Sequence, residues 1–318
     1  MRPRDRAGSA LPHAELSTGR RRLRRFRFPV LVLVLLGVIA VFAGIDRLVA
    51  PVPALALPVG IGLAGTGVAG YRWLSRTVES RPSVPELATA GAWSWLWRGI
   101  LLGSGLFTAV MLLIAAFGGW QGLSWGSVGG FLATAGAMAA VAVAEETLFR
   151  GIVFRILEER TGTVVALVVA ALLFGATHLV NVDATLLGTL SIAVTGGTLT
   201  AAAYVATRSL WLPIGLHFSW NFIQAGVFGV AVSGSGTASH GLLQTTLSGS
   251  SLLTGGAFGP EASLFALLVC LVPTAVLLRR AARTGQIRHR PRRTSTRGSS
   301  SSPSRVEAPS SAACVSFE

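Results

Sequence analysis

The chain has 318 residues, of which 51% are hydrophobic and only 13% charged, and it carries a formal net charge of +14. Its apolar residues gather in long blocks instead of the stripes of a soluble core, which excludes an ordinary soluble domain and identifies membrane composition. All 27 basic residues are arginine, and the two cysteines are too few for a disulfide framework.

Residues 1–26 are basic and poor in apolar side chains, and read as a disordered cytoplasmic tail. Runs of about 20 residues with few or no charges then place spans near 29–45, 51–70, 99–119, 128–149, 163–180, 184–206, 211–231 and 262–278. Because lipid offers no partner to a backbone amide, such runs are helices unless they close a barrel, and no alternating ten-residue pattern is present. The fold class is all-α, a polytopic bundle of about eight transmembrane helices over 27–283. The arginine-rich start followed by an apolar run has the outline of a signal peptide. Ala54-Leu55-Ala56, which could pass for its cleavage site, lies beyond Pro51 and Pro53 in the next apolar run, so the first helix is read as retained.

Segment 71–98, with Arg81-Pro82-Ser83 and then Trp93, Trp95 and Trp97, reads as a cytoplasmic loop ending in an interfacial belt. Segment 232–260 is rich in Gly, Ser and Thr and reads as a flexible outer loop, with His240 a loop residue. Residues 284–318 are rich in Arg, Ser and Pro and read as a second disordered tail; Cys314 sits one place too early for a prenylation box. If the N-terminus is cytoplasmic and eight spans follow, every arginine except Arg47 falls on the cytoplasmic side. This bias predicts a multi-pass plasma-membrane protein with both termini inside, and explains the net charge through topology and anionic lipid instead of nucleic acid.

Ionisable groups inside apolar spans are costly, so the few present are functional candidates. They are Glu145, Glu146 and Arg150 in the fourth span, His178 in the fifth, and His217 with Asn221 in the seventh. Residues four apart on a helix share a face whereas neighbours point about 100° apart, so Arg150 pairs with Glu146 and leaves Glu145 free. A buried carboxylate without a countercharge holds a proton more tightly than one in water, which suits a general base. An antiparallel hairpin turning near Thr161 to Thr163 pairs positions that sum to about 323, as Glu145 and His178 do. His217 and Asn221 share one side of their helix, so a glutamate, two histidines and an asparagine can converge. Asp183 reads as a helix-end residue.

Glu-Glu-x-x-x-Arg, Phe-x-x-x-His (Phe174 to His178) and His-x-x-x-Asn, in this order on hydrophobic spans, resemble the CPBP family. That family comprises the CAAX prenyl endopeptidases and the bacteriocin-processing or immunity proteins, also called Abi. The resemblance covers about residues 100–230. It implies an eight-helix intramembrane protease, metalloprotease by family label, in which Glu145 activates water while His178, His217 and Asn221 bind a metal or stabilise an oxyanion. No His-Glu-x-x-His helix or cysteine cluster is present, so zinc on His178 and His217 stays open beside a metal-independent reaction. The implied partners are a membrane-associated protein or peptide substrate and the bilayer; the sequence names neither substrate nor oligomeric state. Two rival readings remain: a non-catalytic scaffold or bacteriocin-immunity protein, and a proton-coupled carrier.

Overall fold

A computed structural model describes residues 26–236 and 241–290. The segments 1–25 and 291–318 of the expected tails lie outside the described residues, as do Cys314 and His240. Among the described residues, seven helices are long and apolar enough to cross a membrane, with mean hydropathy from 1.4 to 2.9. They are α1 (Arg27–Val49), α2 (Pro53–Thr77), α3 (Ala92–Ala116), α4 (Val128–Thr161), α5 (Thr163–Val180) and α6 (Leu186–Thr207), together with the last helix, Leu264–Arg283. The expected span at 211–231 is α7, an eleven-residue helix, Trp211–Asn221, continued by a six-residue wide turn, Phe222–Val227. It falls just short of a lipid-spanning length because it is enclosed: nine of its eleven helical residues are buried. A helix packed on all sides by protein needs neither length nor a lipid-facing stripe. Leu264–Arg283 is accordingly α8.

Small residues decide which helices touch, because between helices in lipid there is little hydrophobic drive and close packing must supply the contact. Gly99 and Gly103 lie one turn apart on α3 and face α7. A Cβ at Gly99 would strike the Leu212 carbonyl, and one at Gly103 the Ser219 hydroxyl and the Leu216 carbonyl. Gly60 of α2 and Gly136 of α4 meet backbone to backbone in the same way. Gly175 of α5 packs on Thr189 and Ala193 of α6, and Gly197 of α6 on Ala171 of α5. These three seams fix α7 on α3, α4 on α2 and α5 on α6, the last being the most enclosed of the seven long helices.

One face of the bundle is tied by arginine. Arg27 bonds Glu79 and Glu159, Arg155 bonds Glu79 at 2.5 Å, and Arg81 grips Glu86 through both nitrogens at 2.6 and 2.7 Å. Arg208 holds Glu158 at 2.5 Å and also reaches Gln286, while the Thr163 amide donates to the Arg288 carbonyl. The start of α1 and the end of α8 therefore lie on the same face, which requires an even number of crossings and makes α7 one of them. Burial alone would raise the Glu86 carboxyl, but hydrogen bonds from Arg81 and Tyr71 outweigh it and hold the group below the usual carboxylate range.

The loop expected at 71–98 is shorter, since α2 runs on to Thr77 and α3 begins at Ala92 with Trp93, Trp95 and Trp97 on its first turns. The expected flexible segment 232–260 is also more built than its composition suggested. Leu243–Leu247 (β2) pairs antiparallel with Trp120–Trp125 (β1), and short helical turns follow at Ser251–Thr254, Gly256–Phe258 and Pro260–Ala262. Glycines permit this: Gly259 has φ +115°, and a side chain there would run into the Ala231 carbonyl. Gly- and Ser-rich composition was read as freedom; here it supplies left-handed turns and close approach.

Candidate active site

α4 is 34 residues long, about 51 Å at the helical rise, so its arginine-face end projects well beyond a hydrocarbon layer about 30 Å thick. α5 returns antiparallel from Gly162, whose φ of +84° lets the chain reverse in one residue. Glu145 and His178 are numbered almost symmetrically about that glycine, and both line one cavity of about 660 Å³. The projecting helix reconciles the two: His178 ends a short span while Glu145 sits in the middle of a long one.

Three wide turns break the helices around this cavity, at Thr147–Phe154 in α4, Ala193–Thr198 in α6 and Phe222–Val227 after α7. Such insertions free backbone groups that a regular helix would use internally. Arg150 exploits one of them. It is 2% exposed, bonds Glu146 at 2.9 Å, and donates to the carbonyls of Gly196 and Gly197 at 3.1 and 2.9 Å. Its guanidinium also lies 4.6 Å from the centre of the Phe174 ring. The buried charge thus has a carboxylate, two carbonyls and an aromatic face.

The expected Glu146–Arg150 pair forms, and Glu145 takes no part in it. Sequence spacing missed the second duty of Glu146. The Oε1 atom that receives Arg150 also receives Nδ1 of His217 at 2.9 Å, so Glu146 belongs to the site as well as to the framework. A carboxylate can only accept there, so His217 carries hydrogen on Nδ1 and turns Nε2 toward Glu145, at 3.9 Å from its Oε2. His178 is held similarly, Nδ1 donating to the Phe174 carbonyl at 2.9 Å. Both rings thereby direct Nε2 away from their anchors. Phe174 separates them, with ring centres 5.1 Å from His178 and 6.0 Å from His217.

Glu145, His178, His217 and Asn221 share the lining of this cavity, whereas Glu146 and Arg150 stand behind it. Glu145 retains 21% exposure of its side chain against 0% for Glu146, so of the two carboxylates it is the one a water can reach. Asp183 lies in the turn between α5 and α6 and neither ends the one nor caps the other: α5 stops at Val180, Thr185 accepts from the Gly188 amide at the start of α6, and the Asp183 amide bonds the Gly234 carbonyl. No group of three His, Cys, Asp or Glu side chains close enough to hold a metal ion forms among the described residues.

Glu261 went unnoticed in the sequence. It lines the same cavity and is 3% exposed, with the Ser233 amide donating to its Oε1. The available signal was its isolation, as the sole acidic residue between Asp183 and Glu307.

Much of the remaining wall is apolar, among it Leu36 and Ile39 of α1, Met138 of α4 and Ile192 of α6, with Thr177, Asn181, Thr195 and Thr200 between them. A greasy chamber with a few converging polar groups suits a lipid-borne or apolar peptide substrate. No curated protein and no solved structure matches the chain. Residues 127–223 match the family model described as type II CAAX prenyl endopeptidase Rce1-like, a stretch that contains all six residues from Glu145 to Asn221, so that part of this multi-pass chain is similar to the CPBP, CAAX-protease family.

Proposed function

We propose that the protein hydrolyses peptide bonds of membrane-associated proteins or peptides within the bundle, with Glu145 as the base that activates water. The observation that carries this reading is the approach of His217, itself held by Glu146, to within 3.9 Å of Glu145 at the wall of the cavity. A water beside Glu145 gives one proton to that carboxylate and directs its other hydrogen to Nε2 of His178. The hydroxide adds to the substrate carbonyl, and the side-chain amide of Asn221 and an Nε2–H of doubly protonated His217 donate to the oxyanion. Phe174 and the aliphatic walls exclude bulk water, which strengthens each of these interactions.

Neutral imidazole cannot donate from Nε2 while Nδ1 holds the hydrogen, so His217 serves the oxyanion only when doubly protonated, whereas His178 accepts from the water while neutral. A metal on the two Nε2 atoms is the rival arrangement that a metalloprotease label implies, and no step above is routed through it. The termini are taken as cytoplasmic and the membrane as the plasma membrane, on the arginine bias. The test is cleavage of an apolar fluorogenic peptide by purified protein and by Glu145→Gln; equal rates would end the proposal.

A further inference from the structure

Glu261 is unused by that scheme, yet it is the second carboxyl of the same cavity. It reaches the cavity through a built turn. Gly255 and Gly259 both have positive φ, at +80° and +115°, and a Cβ at either would meet backbone. The 3-10 turn Pro260–Ala262 between them and α8 then turns the side chain inward, where it is 3% exposed. Ser233 and Trp220 donate hydrogen bonds to it and His178 faces it, which favour the charged form, while its burial opposes that charge and is the larger effect. His178 of α5, Trp220 of α7 and Cys270 of α8 are the groups that face it.

We propose, resting on the proteolytic reading, that Glu261 is the general acid of the reaction, protonating the leaving amine across the cavity from Glu145. Hydrolysis needs a base for the incoming water and an acid for the departing nitrogen, and enzymes divide the two roles by giving two carboxyls different surroundings. Here the surroundings differ: Glu145 is partly exposed and lies 3.9 Å from His217, while Glu261 is 3% exposed and takes the Ser233 amide. Burial pushes the Glu261 carboxyl above the usual carboxylate range, against the opposing effects of the Ser233 amide and His178.

The step balances. Glu145 takes a proton from water and hydroxide adds to the carbonyl carbon. Glu261 gives its proton to the amide nitrogen, the C–N bond breaks, and a carboxylic acid and an amine leave. Glu145 is then protonated and Glu261 ionised. One proton passes from Glu145 to Glu261 by way of His178, which lines the cavity with both, and restores the starting state.

The experiment exploits leaving-group chemistry, since an activated ester departs without help whereas an amine does not. Wild type, Glu145→Gln, Glu261→Gln and Glu261→Asp are compared on an apolar fluorogenic peptide and on the nitrophenyl ester of the same acyl segment. Glu261→Gln should lose about a hundredfold more rate on the peptide than on the ester, the lower end of what an acid supplies. Glu261→Asp, which keeps the proton on a shorter arm, should recover part of the peptide rate. Glu145→Gln should depress both substrates alike. Equal losses by Glu261→Gln on the two substrates, or none, would overturn the role of Glu261 while leaving proteolysis standing. A wild type inert to both substrates would instead remove the proteolytic reading, and the acid with it.

Discussion

Glu146→Gln perturbs the most heavily connected charge in the bundle. Arg150 is 2% exposed and its carboxylate partner fully buried, so removing the negative charge leaves a guanidinium with no counter-ion in a medium of low dielectric. Breaking a buried pair from one side costs about 3–5 kcal/mol. The Gly196 and Gly197 carbonyls and the Phe174 face remain to Arg150, which places this variant at the lower end, about 3 kcal/mol. That is a factor of roughly 150 in the folded-to-unfolded ratio, enough to empty a marginal membrane protein from the folded pool. Unfolding by detergent titration, followed by size-exclusion fluorescence, reads the loss directly. Replacing both partners, Glu146→Leu with Arg150→Met, should recover part of the folded yield because no orphan charge remains. The same double variant should stay inactive, since His217 loses the acceptor at its Nδ1. If Glu146→Gln unfolds at the wild-type midpoint, the pair contributes no stability and the reasoning fails. If the double variant, which has no acceptor at that position, cleaves normally, Glu146 does not position His217.

Glu145→Gln should accumulate as folded protein and lose at least about a hundredfold in peptide cleavage, the range for a general base; reduced yield together with normal specific activity would reverse the assignment. Gly103→Leu should separate α3 from α7 and abolish detergent-stable protein, since its side chain would meet the Ser219 hydroxyl and the Leu216 carbonyl; a wild-type yield would show that the seam is loose. A chelator should leave cleavage intact; loss of activity with recovery on adding zinc would put a metal on His178 and His217. The Glu86 carboxyl is held below its unfolded value near 4.3, so its contribution is complete above that value and is lost as pH falls through the lower, folded one. Thermal midpoints in detergent should therefore drop over that acidic interval in wild type and less so in Glu86→Gln; identical curves would contradict the assignment. Single cysteines at Ser9, Ser248 and Ser300, in a background lacking Cys270 and Cys314, should be labelled from outside by an impermeant reagent only at Ser248 if the arginine-rich face is cytoplasmic.

Hydropathy alone determined most of the architecture, because backbone amides have no partner in lipid and every apolar run of sufficient length must become a helix. Expected and observed spans differ mainly at their ends, where helices continue past the hydrocarbon into polar residues: α2 reaches Thr77 and α4 reaches Thr161. The local rule of four residues paired Arg150 with Glu146, and the hairpin symmetry about Gly162 put Glu145 and His178 on one cavity. Both are short-range geometry, legible in residue numbers.

The rest depended on contacts between distant segments. Spacing cannot say that the Glu146 carboxylate, already occupied by Arg150, also accepts from His217, 71 positions along. The three wide turns were equally hidden, since a helix inserts a residue only where a neighbour, such as Arg150 against Gly196 and Gly197, takes up the freed carbonyls. Glu261 illustrates the limit best. In sequence it ends a loop rich in Gly and Ser, a composition shared by mobile linkers and by tightly turned straps. Only the packing of Gly259 against Ala231, and of Ser233 on the carboxylate, decides that this loop folds inward. Composition governs whether a segment can leave water, while tertiary contact governs which side chain it carries into the cavity.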